Sequence, residues 1–171
     1  MLEEINSRFN SELEALTPEN ANSKILMLGN PSEILLGVGI ENKPLKLYGN
    51  KIMKKIKKHG YKTSDLRDLP KFVADPLAIF TGNHTKSFVV LTEIEIGGNN
   101  LLTALEIGKG ADIEFNIITS AYMKTKEQIK NWVNVEKVLY ASKTKAPDYL
   151  RIPTALSVGA QNNQGLTGNQ R

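Results

Sequence analysis

Apolar residues recur at helical spacing from the start of the chain: Leu2, Ile5, Phe9, Leu13 and Leu16 line one side of a helix over residues 2–16. Glu3 and Glu4 fall in its first turn, where the helix dipole favours negative charge. The polar stretch TPENANS (17–23) reads as a linker, so this helix is expected to pack loosely or to connect to something upstream. The compact domain is expected to begin at Lys24. KILMLG supplies a short apolar run, and NPSEILLGVG places Pro31 near the first turn and Gly37 at the end of a brief helix. KPLKLYG alternates as a strand does.

The next helix, NKIMKKIKKH, has Asn50 as a candidate N-cap and Gly60 just past its end. TSDLRDLPKFVADP predicts a second short helix, capped by Thr63 or Ser64, interrupted by Pro70 and stopped by Pro76. The period then changes. LAIFTG, SFVVLTEIEI, LLTALEIG and ADIEFNIITSAYM are strand-like, and GGNN (97–100) is a hairpin signal between the second and third. KTKEQIKNWVN returns to helical spacing through Ile129, Trp132 and Val133, KVLYAS reads as a last strand, and APDYLRI as a short helix or turn. The polar, glycine-rich segment GAQNNQGLTGNQR lacks the apolar content that folding requires. Helices first and an antiparallel sheet afterwards predict an α+β domain.

Composition narrows the function classes. The 171 residues are 40% hydrophobic and 23% charged, which is enough for one domain with its own core. Absence of cysteine removes disulfides, thiolate metal sites and cysteine nucleophiles, and two histidines do not predict a histidine-rich zinc site. No apolar run reaches the length of a membrane span, and the first residues lack a basic segment followed by an apolar one. A soluble protein in a reducing cytoplasm is expected, with no membrane partner. The net charge of +4 permits a polyanionic partner without requiring one.

Candidate chemistry begins at the basic helix. On a wheel of about 100° per residue, Ile52, Met53 and Ile56 form its buried stripe and His59 falls at the stripe's edge. Lys55 is the i−4 neighbour of His59, while Lys51, Lys54 and Lys58 fan across the exposed side. Such a histidine suits proton transfer beside a held phosphate; it also suits a helix terminus where cations are favoured. His84, in TGNHTKS, reads as an exposed turn residue. In NIITSAYMK, strict alternation places Asn116, Ile118, Ser120 and Tyr122 on one face, followed by Lys124 and Lys126, a row of donors suited to a phosphodiester or to a solvated sheet face. No phosphate-binding loop, dinucleotide fingerprint, hydrolase elbow or carboxylate cluster is present, and Asp65, Asp68 and Asp75 read as caps and surface charges. No cofactor and no metal are expected.

The order of these segments, from LGNPSEILLGVG through the helix ending KKHG, DLPKFVADPLAIF, SFVVLTEIEI and NIITSAYMK to LYASKTKAPDYL, resembles the phage MuF C-terminal domain family over about residues 24–152. That family is grouped with the barnase–EndoU–colicin–RelE-like (BECR) nucleases. The resemblance implies N-terminal helices packed on a four- to five-stranded antiparallel sheet, with the active site across the sheet face. It implies a metal-independent ribonuclease, in which the ribose 2′-hydroxyl attacks the adjacent phosphate. Carried over, His59 is the general acid or base, and Ser120 and Tyr122 hold or polarise the phosphate. Lys58 matches the motif's lysine, wheel geometry favours Lys55, and Lys54 and Lys124 complete the expected substrate-binding set.

The expected division is a helix and linker at 1–23, a nuclease domain at 24–152 and a polar tail at 153–171. The expected partners are RNA or another nucleic acid, with a phage head or portal protein or an inhibitor as further candidates. The expected setting is the host cytoplasm or the phage virion. A non-catalytic nucleic-acid-binding module, or a structural appendage of a phage head protein, uses the same lysines.

Overall fold

The longest apolar runs form the hairpin at the centre of the fold. β4 (Ser87–Ile96) and β5 (Asn99–Ile107) pair antiparallel and are joined through Gly97 and Gly98. Both glycines adopt left-handed backbone, φ 61° and 83°, which a tight hairpin turn demands and which side chains disfavour. The computed structural model describes residues 1–108, 112–135 and 137–150, so the expected tail lies outside the described residues.

Around the hairpin the described residues build a seven-stranded sheet in the order β1-β2-β6-β5-β4-β3-β7. β1 is Ile25–Gly29, β2 Leu45–Tyr48, β3 Ala78–Thr81, β6 Asn116–Lys124 and β7 Val138–Ala141. The expected four- to five-stranded, wholly antiparallel sheet is therefore too small and too uniform. The short segments before the basic helix add β1 and β2, KVLYAS adds β7, and β2 runs parallel to β6. No hairpin links β2 to β6, because the chain from α3 to β5 intervenes, and without a tight turn nothing imposes the antiparallel sense. The coarser expectation, an α+β architecture, is what the chain forms.

Helices cover both faces. α1 (Leu2–Glu14), α2 (Glu33–Gly37), α3 (Gly49–His59) and α4 (Leu69–Ala74) contribute to one core, in which Phe9, Leu35, Ile52 and Leu69 meet Ile79, Val90, Leu101 and Leu105. α5 (Lys126–Asn134) covers the other face, where Ile129 and Leu150 pack with Ala78, Phe80, Leu91 and Leu102. The central strands are buried on both sides, so they read as continuous apolar runs.

α1 is part of the first core and not a loose connection. Phe9 is fully buried, and Asn6 and Asn10, both nearly so, donate their amides to the Asp68 carboxylate at 2.7 and 2.8 Å. Asn10 Oδ1 in turn accepts the Asp68 backbone N–H at 2.9 Å. Asp68 is in left-handed backbone, φ 66°, an uncommon conformation for a residue other than glycine that asparagine and aspartate tolerate best. The two amides hold its carboxyl below the usual carboxylate range. Asp65 caps the Thr63–Leu66 turn by accepting from the Lys62 N–H, and Asp75 pairs with Lys145 at 2.8 Å. Asp65 and Asp75 thus cap and pair at the surface, as their sequence context predicts, whereas Asp68 makes no side-chain cap and ties α4 to α1.

Asp68→Ala removes two charge-assisted hydrogen bonds and leaves two buried amides without their acceptor. It is expected to destabilise the fold by about 2–4 kcal/mol, measured by denaturant unfolding. Because the folded carboxyl titrates below its unfolded value, this stabilisation is complete above the unfolded pKa and is lost as pH falls through the folded one. The gap between wild type and variant should therefore narrow below about pH 4, leaving the cost of alanine in left-handed backbone; a gap of unchanged size in strong acid would contradict this role.

Candidate active site

α3 ends where its sequence indicates. The Gly60 N–H bonds to the Ile56 carbonyl at 2.8 Å with Gly60 in left-handed backbone, φ 72°, making His59 the last helical residue. At the other end Tyr48, and not Asn50, is the N-cap residue. Ile52 is buried, Met53 and Ile56 partly so, and His59 is half-buried at the edge of this stripe. Lys51, Lys54 and Lys58 are exposed and Lys55 is half-buried.

β2 pairs with β6 only at Leu45–Asn116 and Lys46–Ile117. Beyond that point α3 packs along β6, and the Tyr61 hydroxyl, buried just after the helix, donates to the Ala121 carbonyl at 2.9 Å. The helix end thereby reaches the side chains of β6. The His59 and Tyr122 rings lie 6.0 Å apart, centroid to centroid, at an interplanar angle of 36°. The Lys124 ammonium stands 5.7 Å from the Tyr122 ring and 5.7 Å from that of Trp132.

The pairing of β6 with β5 explains which side chains share a face. Ala104 pairs with Ser120 but Leu105 with Ile118, so Thr119 is an extra residue, a β-bulge. Strict alternation across Asn116–Tyr122 therefore fails. Asn116 and Ile118 belong to the interior on the helix-rich face, with Asn116 Nδ2 donating to the Glu41 and Lys43 carbonyls at 2.8 and 2.7 Å. Tyr122 packs toward α5, and Ser120, half-buried, stands two residues before it on the same face. Past the bulge, Ala121 and Met123 still face the helix-rich core, while Tyr122 and Lys124 line the cleft.

Electrostatics at the helix end are set by burial and by like charge. A helix C-terminus alone raises a histidine pKa. Here partial burial and the charges of Lys55, Lys58 and Lys124 hold His59 below its ordinary value instead. Lys55 is also pushed down, by its own burial and by Lys58, Lys51 and Lys54. Burial raises the Tyr122 phenol, which stays protonated at neutral pH. Among the residues expected from the sequence, the structure gathers His59, Tyr122, Lys55, Lys58 and Lys124; Lys54 is exposed on α3 and acts on Lys55. His84 is an exposed turn residue whose N–H donates to Ser87 Oγ at 2.9 Å.

Tyr122 and Lys124 also line a cleft of about 360 Å³. Its other walls are Val89 of β4, Trp132 of α5, and Thr81, Asn83 and Lys137 at one end. Sequence reasoning misses these walls. Trp132 is readable only as a core position at helical spacing, although it is the sole tryptophan of the chain. Among the described residues no three His, Asp or Glu side chains come together as a metal-ligand set, and no helix is long and apolar enough to cross a membrane.

The family model of the phage MuF-C-terminal domain matches residues 50–148, more than half of the chain. The chain belongs to that family. The MuF-C-terminal segment runs from α3 to the turn at Asp148–Leu150, so it contains His59, Ser120, Tyr122, the lysines and every wall of the cleft. No curated protein and no solved structure matches the chain.

Proposed function

We propose that this MuF-C-terminal chain is a ribonuclease of the BECR type that cleaves RNA without a metal ion. The observation that supports this most is the meeting of a histidine, held below its ordinary pKa by burial and three lysines, with a protonated tyrosine that lines a cleft. A neutral imidazole at physiological pH is ready to accept a proton.

In this mechanism the neutral His59 takes the proton of the ribose 2′-hydroxyl as its oxygen bonds to phosphorus. The bond from phosphorus to the 5′-oxygen breaks, leaving a 2′,3′-cyclic phosphate. The departing 5′-oxygen takes the Tyr122 phenolic proton, and the Lys124 ammonium compensates the phenolate. Lys55 and Lys58 neutralise the phosphate, Ser120 donates a hydrogen bond to it, and Lys54 extends the contact along the strand. The non-catalytic alternative, a nucleic-acid-binding module or an appendage of a phage head protein, uses these lysines and gives His59 no chemical task.

The separating experiment is cleavage of RNA by the purified chain in excess chelator, with product ends analysed. Cyclic phosphate ends are expected, and His59→Ala should lower the rate by a factor on the order of 10² to 10⁴. His84→Ala should have no effect. The rate should rise with pH as His59 loses its proton, with a midpoint below that of a free imidazole. No cleavage, or equal rates for the two alanine variants, would refute the assignment.

Binding is tested separately by fluorescence anisotropy across a salt series. Replacing Lys54, Lys55 and Lys58 with alanine should flatten the dependence of log affinity on log salt by about 0.7 for each phosphate that the protein ceases to neutralise. An unchanged slope would mean that these lysines only solvate the helix.

A further inference from the structure

Trp132 has no part in the cleavage chemistry, yet it is placed as a platform. Ile129, one turn earlier on α5, is buried, while Trp132 is half-exposed and lines the cleft. The fully buried Phe80 meets the indole edge-on, centroids 5.2 Å apart at 69°, which fixes the plane of the ring. The Lys124 ammonium sits 5.7 Å from this ring, within range of a cation–π contact. Lys137 is held by its backbone: its N–H donates to the Trp132 carbonyl at 3.1 Å, and its carbonyl accepts from the Thr81 N–H at 2.9 Å.

We propose that this cleft holds the base of a nucleotide stacked on Trp132, with Lys124 and Lys137 against its phosphates and Thr81 and Asn83 at the edge of the base. A flat aromatic wall selects a planar ring, and paired lysines select an anion. A nucleotide meets both demands. The cleft volume of about 360 Å³ suits one such unit. Val89 supplies an apolar wall, while the exposed hydroxyl of Thr81 and amide of Asn83 supply donors and acceptors that a base edge can use. Aromatic stacking beside lysines is how single strands are held without dependence on pairing. The link to cleavage rests on the proposed ribonuclease activity: the stacked base would then belong to a nucleotide adjoining the cut phosphate. Nucleotide binding itself does not depend on cleavage.

Because Trp132 is the only tryptophan, its fluorescence reports on this cleft alone. The full chain is titrated with the four nucleoside monophosphates, with inorganic phosphate, with ribose 5-phosphate, and with a 2′-O-methyl tetranucleotide that 2′-hydroxyl chemistry cannot cut. The base-bearing ligands should quench the emission, and phosphate and ribose 5-phosphate should not. Affinity for a labelled tetranucleotide should fall about tenfold or more in Trp132→Ala. Trp132→Phe, which keeps a ring against Phe80, should retain most of it, so a folding defect in the alanine variant does not obscure the result. Asn83→Ala, at an exposed site, should change the ranking of the four bases. Absence of quenching at saturating tetranucleotide, or equal quenching by ribose 5-phosphate, would overturn the proposal. Nucleotide-specific quenching in a chain that cuts no RNA would keep the cleft and remove the ribonuclease; cleavage without quenching would do the reverse.

Discussion

The site depends on how early β2 stops pairing with β6. After two residue pairs β6 has no strand on that side among the described residues, and the edge it exposes would be left to water or to another chain. α3 covers it, and Tyr61 binds the Ala121 carbonyl from the turn that follows the helix. A third strand in that place would have kept His59 away from β6. Covering the edge with a helix instead brings the helix end to the Tyr122 ring of the strand. The Thr119 bulge then divides β6, burying Asn116 and Ile118 beside the helices and leaving Ser120 and Tyr122 on the opposite face.

Charge on this framework is unevenly distributed. Several lysines elsewhere have acidic partners: Lys46 with Asp112 at 2.7 Å, Lys71 with Glu3 at 3.0 Å, and Lys145 with Asp75 and Glu93. Among the described residues the lysines of α3 form no ion pair, and their mutual repulsion contributes to the lowered pKa of Lys55. Such a cluster does not stabilise the fold. A polyanion along the helix would relieve the repulsion. Burial, with the charges of Lys55, Lys58 and Lys124, outweighs the helix dipole at His59 and favours a neutral imidazole, which is the protonation state a general base requires.

Much of this is legible in the sequence because local signals and tertiary structure agree. The GGNN hairpin, the stripe of Ile52, Met53 and Ile56, the Gly60 stop and the edge position of His59 all follow from period and turn chemistry. Other features depend on contacts between distant segments, and no local period encodes those. The parallel β2–β6 pair joins segments some seventy residues apart. The bulge at Thr119 is invisible because both halves of NIITSAYMK alternate well separately. α1 reads as detachable because its partner, Asp68, is 58 to 62 positions away. Trp132 reads as core, which its contact with Phe80 justifies, but its other role arises only where β6, α5 and Lys137 meet.

The central claim is that β6 brings Lys124 close enough to the end of α3 to act on His59. It is tested most directly by following the His59 imidazole signals by NMR against pH, in wild type and in Lys124→Ala. In wild type His59 should titrate below the free value of about 6.5, and removing the Lys124 charge should move its midpoint upward, toward that value. A His59 that titrates at or above the free value, with the same midpoint in both proteins, would contradict the account.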